Sequence, residues 1–303
     1  MLRAVITGAT GAIGTALIKK LLEENAEILV IARKNSQRNN CIPQHPKLQV
    51  IECDLDEIHQ LENKTGKSWD VFYHFAWAGT MGAGRNDSAV QEQNVQFSLD
   101  ALALAQRLHC KTFIGAGSQA EYGVVQGVIT SKTVTNPVNE YGKAKLKAGR
   151  MIHEKAQQLG IKSIWVRILS IYGPNDNPNT MIMSTIKKLQ SGELAQFTKA
   201  EQLWDYLFSY DIATALFLLS EKGVAGKTYV LANGHSRPLK EYIIELKNLI
   251  NPNAKLEFGV IPYVNNQVIN LVADISELVT DTGWKPQYSF ADGIRIILND
   301  LAK

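Results

Sequence analysis

The chain has 303 residues, a formal net charge of +3, 45% hydrophobic residues and 20% charged ones. This composition belongs to a globular protein with a sizeable core; it excludes a disordered chain and gives no reason to expect a nucleic-acid or membrane partner. No apolar run nears the roughly 18 residues that span a bilayer. Cys41, Cys53 and Cys110 are too few and too scattered for a disulfide framework or a zinc site, so free thiols, no metal and a cytoplasmic location are expected.

Leu2 to Ile6 predicts a β-strand entering a glycine turn, not a secretory signal. Gly14 to Glu24 follows as a helix with Leu17, Ile18, Leu21 and Leu22 on its apolar face. Strands are expected at Ile28 to Ala32, Leu48 to Ile51, Val71 to Phe75 and Thr112 to Ala116, with a long helix over Val90 to Leu108. Strands apolar on both faces and separated by helices imply βαβ units, hence a parallel, doubly wound sheet with its ligand crevice at the carboxyl ends of the strands. The second half predicts a helix at Tyr141 to Leu159 and a strand at Ser163 to Ser170, then a Pro/Asn-rich loop at Asn175 to Asn179. Beyond it, helices at Met181 to Gln190, Ile212 to Ser220 and Leu239 to Leu249 alternate with short strands at Thr228 to Leu231 and Leu256 to Gly259. The fold class is α/β, Rossmann-type, with a dinucleotide-binding domain over 1–172 and a smaller, partly interleaved substrate domain over 173–303.

The first turn reads Gly8-Ala9-Thr10-Gly11-Ala12-Ile13-Gly14. Glycines three apart make a tight turn and let backbone N–H groups approach a pyrophosphate, and the following helix points its positive end at the same charge. Glycine clusters often make plain turns; strand before and helix after are the context that dinucleotide binding requires. The second strand ends in Ala32, then Arg33-Lys34, with Ser36 and Arg38 close by. A site for NAD wants a carboxylate there for the ribose hydroxyl, whereas a guanidinium grips a 2′-phosphate. NADP(H) is therefore favoured, with NAD as the alternative.

Tyr141 and Lys145 stand four residues apart, on one helix face. Bringing a phenol from about 10 to about 7 needs roughly 4 kcal/mol, which a neighbouring ammonium in a dry site could supply. Tyrosine four residues before lysine is common by chance, but Ser118 adds a hydroxyl at the carboxyl end of the fifth strand.

With these residues in place the chain resembles the NAD-dependent epimerase/dehydratase family of extended short-chain dehydrogenases/reductases over nearly its whole length. The resemblance runs through the glycine loop, Asp54-Leu55, His74-Phe75-Ala76-Trp77, Asn94, Ser118, the Tyr141/Lys145 pair, Arg167 and Tyr172-Gly173-Pro174. It continues at Trp204-Asp205-Tyr206, Asp211-Ile212-Ala213 and Gly283-Trp284-Lys285-Pro286. It implies that Gly8, Gly11, Ala12, Ile13 and Gly14 hold the pyrophosphate and Asp54 and Leu55 the adenine, while Phe75, Ala76 and Asn94 line the cofactor path. Tyr141 would be the acid/base; Lys145 would lower its pKa and bind the nicotinamide ribose. Ser118 would bond the reacting sugar oxygen, Leu169 and Ser170 would sit near the nicotinamide, and Asn179 would meet the nucleotide of the substrate. A homodimer through the long helices is also implied. Trp204 stands where an arginine for the substrate pyrophosphate is usual, and Ser170 where asparagine is usual.

Other residues read as structural. His74 supports a strand end, His109-Cys110 forms a solvent-side turn, His153 and His235 have no visible partner, and Trp165 and Trp284 pack the core.

A 4,6-dehydratase needs an extra acid and base beside the tyrosine; the resemblance implies an acidic pair directly after Ser118, but those positions hold Gln119 and Ala120, and Glu121 is out of register. An epimerase keeps its cofactor, whereas a reductase consumes NADPH, which suits Arg33. The expectation is a 4-ketoreductase of a nucleotide-linked keto-deoxysugar; the alternatives are a 4-epimerase with retained NAD and a non-catalytic NADP-binding regulatory protein.

Overall fold

A computed structural model of the chain describes residues 1–63, 66–263 and 270–302. Seven strands form one parallel sheet: β1 (Arg3–Thr7), β2 (Glu27–Ala32), β3 (Leu48–Glu52), β4 (Val71–His74), β5 (Thr112–Ser118), β6 (Lys162–Ile168) and β7 (Thr228–Leu231). Their order is β7-β6-β5-β4-β1-β2-β3, so the winding reverses between β1 and β4 and opens a crevice at that switch point.

Alternate residues of each strand enter different cores, which is why the strands read as unbroken apolar runs. Ile6, Val30, Tyr73, Ile114 and Val166 pack on the face covered by α1 (Ala12–Glu23) and by Ser209–Lys222. Val5, Leu29, Phe72, Phe113 and Trp165 pack on the opposite face, under α2 (Ser88–Arg107) and α3 (Glu140–Leu159). Asp87 caps α2 by accepting from the N–H groups of Ala89 and Val90, both at 3.1 Å, and Asn139 caps α3 by accepting from Gly142 at 2.8 Å.

The expected strand over Ser163 to Ser170 is two. After Ile168 the chain leaves the sheet, and Ser170–Tyr172 pairs in parallel with Tyr206–Phe208. That pair carries a third core in which the tilted rings of Tyr172, Phe208 and Phe290 pack with α4 (Met181–Ser191), α6 (Leu239–Ile250) and α8 (Phe290–Leu301); α5 is the Ser209–Lys222 helix. The short α7 (Ser276–Thr282) and α8 are additional to the expected elements. Ser289 and Asp292 close a capping box at the start of α8, and Ile294 and Ile297 are buried on its inner side. Among the described residues no helix is long and apolar enough to cross a membrane.

Candidate active site

The glycine turn joins β1 to α1, which begins at Ala12, two residues earlier than its apolar face suggests, because Gly11 is already its N-cap. The three glycines are there for different reasons. A Cβ on Gly8 would lie 2.6 Å from Ala76 N, and one on Gly14 would lie 2.4 Å from Gly8 O, so both positions are closed by the protein's own backbone. Gly11 has an ordinary φ of −88°, and a Cβ there would meet nothing within 4 Å. Nothing in the fold requires glycine at that position; what a side chain would occupy is the space in front of the helix N-terminus, where an anionic ligand is favoured. The turn therefore fits a dinucleotide pyrophosphate.

A cavity of about 790 Å³ runs from this turn along the strand ends. Gly8, Gly11, Arg33, Ser36, Arg38, Asp54, Leu55, Phe75 and Ala76 line it, as do Trp77 and Ala78. Arg33 Nη2 lies 3.4 Å from Ser36 Oγ, and Arg38 Nη2 donates at 2.8 Å to both Thr10 O and Asn175 O, bridging the glycine turn to the Pro/Asn loop. Asp54 Oδ1 accepts from the backbone N–H of Lys34 at 3.2 Å. Asn94 is buried and meets the cavity only through the backbone of Ala78, whose N–H it accepts at 2.8 Å and whose carbonyl it donates to at 2.9 Å.

Beyond Trp77, outside the lining of that cavity, Ser118, Tyr141 and Lys145 come together, all buried. The Ser118 hydroxyl faces the Tyr141 phenol and favours its ionised form, but burial outweighs this and holds the phenol above its ordinary range. Lys145 Nζ donates to Ala116 O at 2.7 Å and lies 3.6 Å from the centre of the Trp77 ring, 5.8 Å from that of Tyr141. Burial pushes this ammonium down to about 7, with the Glu121 carboxylate opposing. At neutral pH the site thus offers a neutral phenol able to give up a proton, beside an amine poised between its two states. His74 is locked as expected of a structural residue: Nδ1 pairs with Thr7 Oγ1 at 2.9 Å and Nε2 with Ser98 Oγ at 3.2 Å, and burial holds it neutral, down to about 3.

Ser170 and Trp204, the two departures from the family pattern, touch each other. The indole N–H donates to Ser170 Oγ at 2.8 Å, so a bulky ring at one position goes with a small acceptor at the other. Leu169 is buried beside Ser170, and Asn179 lies exposed in the 175–179 loop.

Three residues escape the sequence reading. Gln91 is fully buried; it accepts from Trp77 Nε1 at 2.8 Å and donates to Gly79 O and Gly84 O at 2.9 and 2.7 Å, fixing the loop that follows β4. That loop delivers Arg85, whose guanidinium carbon stands 4.2 Å above the centre of the Tyr141 ring. Trp77 meets the same ring edge-on, with centroids 6.2 Å apart. Only Trp77 left a trace, a bulky aromatic inside His74-Phe75-Ala76-Trp77.

A glycine turn open to a crevice, with a hydroxyl, a phenol and an ammonium gathered beyond it, defines the class: an enzyme that works with a nicotinamide dinucleotide. The model of the NAD dependent epimerase/dehydratase family matches residues 4–232, and the chain belongs to that family. It is 24% identical to the uncharacterized UDP-glucose epimerase YtcB of Bacillus subtilis strain 168, covering 97% of this chain and 96% of that one. Among solved structures, the UDP-N-acetylglucosamine 4-epimerase of Methanobrevibacter ruminantium M1, in complex with UDP-N-acetylmuramic acid, superposes with a TM-score of 0.89 at 19% identity, covering 99% and 98% of the two chains. RMD from Pseudomonas aeruginosa, complexed with NADPH, gives 0.82 at 20% identity, covering 99% and 98%. The cofactors named across these comparisons include both NAD and NADPH.

Gly11 and Gly14 separate a ligand's requirement from the fold's. Gly11→Ala is expected to change stability by less than about 1 kcal/mol yet weaken nicotinamide dinucleotide binding on the order of tenfold or more. Gly14→Ala should cost about 1–3 kcal/mol of stability through overpacking. Thermal unfolding and cofactor titration of both variants check this; parent-like cofactor binding by Gly11→Ala would show that the turn does not face the ligand.

Proposed function

We propose that the chain reduces the 4-keto group of a nucleotide-linked keto-deoxysugar with NADPH, in the cytoplasm. The observation that carries this reading is the end of β2. Arg33, Ser36 and Arg38 line the cavity there, with Ala32 where a carboxylate for a ribose hydroxyl would otherwise stand. Two guanidiniums suit a 2′-phosphate, the mark of a cofactor consumed at each turnover.

Gly8, Gly11 and the first turn of α1 would hold the pyrophosphate of the cofactor, Asp54 and Leu55 its adenine, and Lys145 its inner ribose. When bound, the nicotinamide supplies a hydride. Tyr141 donates its proton to the oxygen of the substrate carbonyl, and its neutral state at ordinary pH suits a donor. Ser118 orients that oxygen from the end of β5, and Trp77 and Arg85 shield the phenol from bulk water. Gln119 and Ala120 leave the positions after Ser118 without an acid–base pair, so no route to dehydration is proposed. A 4-epimerase with retained NAD is the competing reading; the same three side chains serve it, and the name of the Bacillus relative favours it. A homodimer through α2 and α3 belongs to the proposal, supported by the apolar groove that Leu99, Ala103, Met151 and Leu159 line between them.

Arg33→Asp replaces attraction for a 2′-phosphate with repulsion. NADPH binding is expected to weaken on the order of 10²-fold while NADH changes a few-fold at most. Equal losses for the two cofactors would place Arg33 away from the phosphate. Tyr141→Phe keeps the buried ring and removes its hydroxyl. Turnover should then fall on the order of 10²–10⁴-fold with cofactor affinity retained. Steady-state kinetics on an accepted nucleotide sugar decide this, and activity within a few-fold of the parent would sink the proton-donor assignment.

A further inference from the structure

We propose that Arg85 sets the acidity of Tyr141 as a positioning residue, its guanidinium stabilising through the ring face the negative charge that proton donation leaves behind. The proposal rests on the reading of Tyr141 as the proton donor.

The guanidinium carbon of Arg85 lies 4.2 Å from the centre of the Tyr141 ring. Arg85 Nη1 donates to Thr80 O at 3.0 Å, and among the described residues no carboxylate forms an ion pair with it. The supporting loop is built rather than loose. Gly79 has φ +64°, a Cβ on it would lie 2.8 Å from Gly84 O, and Gln91 ties both glycine carbonyls to α2. Such a loop holds one cation at a set distance from one ring. Ionisation of a phenol puts negative charge into its ring, so a cation over the face favours the ionised form. A guanidinium keeps its charge at every pH at which the enzyme works.

The other groups facing Tyr141 do not take this part. From the end of β5 comes the neutral Ser118 hydroxyl. From the turn after it comes the Glu121 carboxylate, which opposes ionisation but is matched by Arg167 at 2.7 Å. From α3 itself comes Lys145, 5.8 Å from the ring centre, with its nitrogen turned to Ala116 O and the Trp77 face. Trp77 carries no charge. Burial raises the phenol, and the charge of Arg85 counters it alongside Ser118. A buried tyrosine with no such cation would be a poor donor, because its proton would leave only at a high cost.

The test is an ultraviolet difference titration of the tyrosinate band. Wild type is read against Tyr141→Phe, and Arg85→Met against Arg85→Met/Tyr141→Phe, so that only Tyr141 is seen. Arg85 is half-exposed on a loop anchored elsewhere, so its substitution leaves the fold in place. Removal of the cation should move the Tyr141 midpoint up by on the order of one pH unit. The high-pH limb of kcat/KM, where the donor loses its proton, should move up with it. Arg85→Lys should recover most of the shift, and NADPH affinity should stay at the parent value. An Arg85→Met midpoint at the wild-type position, or an Arg85→Lys variant shifted as far as Arg85→Met, overturns the proposal. The two readings fail separately. A Tyr141→Phe enzyme with parent-like turnover refutes the proton donor, whereas an inactive Tyr141→Phe with an unmoved Arg85→Met titration refutes only the role of Arg85.

Discussion

The carboxylate of Glu121 has no solvent exposure, and it accepts from the backbone N–H of Ser118 at 2.9 Å, from Trp165 Nε1 at 3.0 Å and from Arg167 Nε at 2.7 Å. A buried charge is tolerated only when paired and hydrogen-bonded, and breaking such a pair costs about 3–5 kcal/mol. Here one charge fixes two things at once. It turns the chain sharply as it leaves β5, so that the Ser118 hydroxyl faces Tyr141. It seats the Trp165 ring in space that glycine leaves free: a Cβ on Gly117 would lie 2.4 Å from the indole nitrogen, and one on Gly149 2.8 Å from the ring. With no side chain at Gly149, α3 lies close on the sheet, and Lys145 reaches Ala116 O at 2.7 Å. The Ser118, Tyr141 and Lys145 geometry thus rests on this buried ion pair together with the close helix packing that Gly149 permits.

Around that frame the site divides its electrostatics. Lys145 is desolvated to near its neutral point, Tyr141 is held protonated by burial, and Arg85 brings a permanent charge from a loop outside the sheet. His74 contributes order instead of charge, linking β1, β4 and α2 through Thr7 and Ser98. Trp204 and Ser170, the two departures from the family pattern, form one contact and are therefore a single coupled alteration.

The first half of the fold was legible in the sequence because its strands are buried on both faces and its helices on one, two patterns that differ in period. The glycine turn and the Tyr141/Lys145 spacing were legible for the same local reason. The split after Ile168 was not, because Leu169 and Ile171 continue the apolar stretch and only the partner strand Tyr206–Phe208, far along the chain, draws Ser170–Tyr172 away. The signals for α8 lie in Ser289, Asp292 and the spacing of Phe290, Ile294 and Ile297, but the proline-containing turn just before them masks the start of the helix. Gln91 and Arg85 left no signal: one looks like an ordinary helix glutamine, the other a surface arginine after glycines, and only the closed loop shows what they face. Glu121 could be excluded as a dehydratase acid from register, yet its structural task depends on Trp165 and Arg167, more than forty residues away in sequence.

The central claim is a keto reduction that consumes NADPH. It is tested most directly by incubating the protein with a 4-keto-6-deoxy nucleotide sugar and NADPH carrying deuterium at the transferable position, then following the label. One NADPH is expected to be oxidised for each sugar reduced, with deuterium at C4 of the product. Product formed from a 4-hydroxy nucleotide sugar with no net NADPH oxidation, and no deuterium passing from added cofactor to sugar, would contradict it and point to an epimerase that keeps its own NAD.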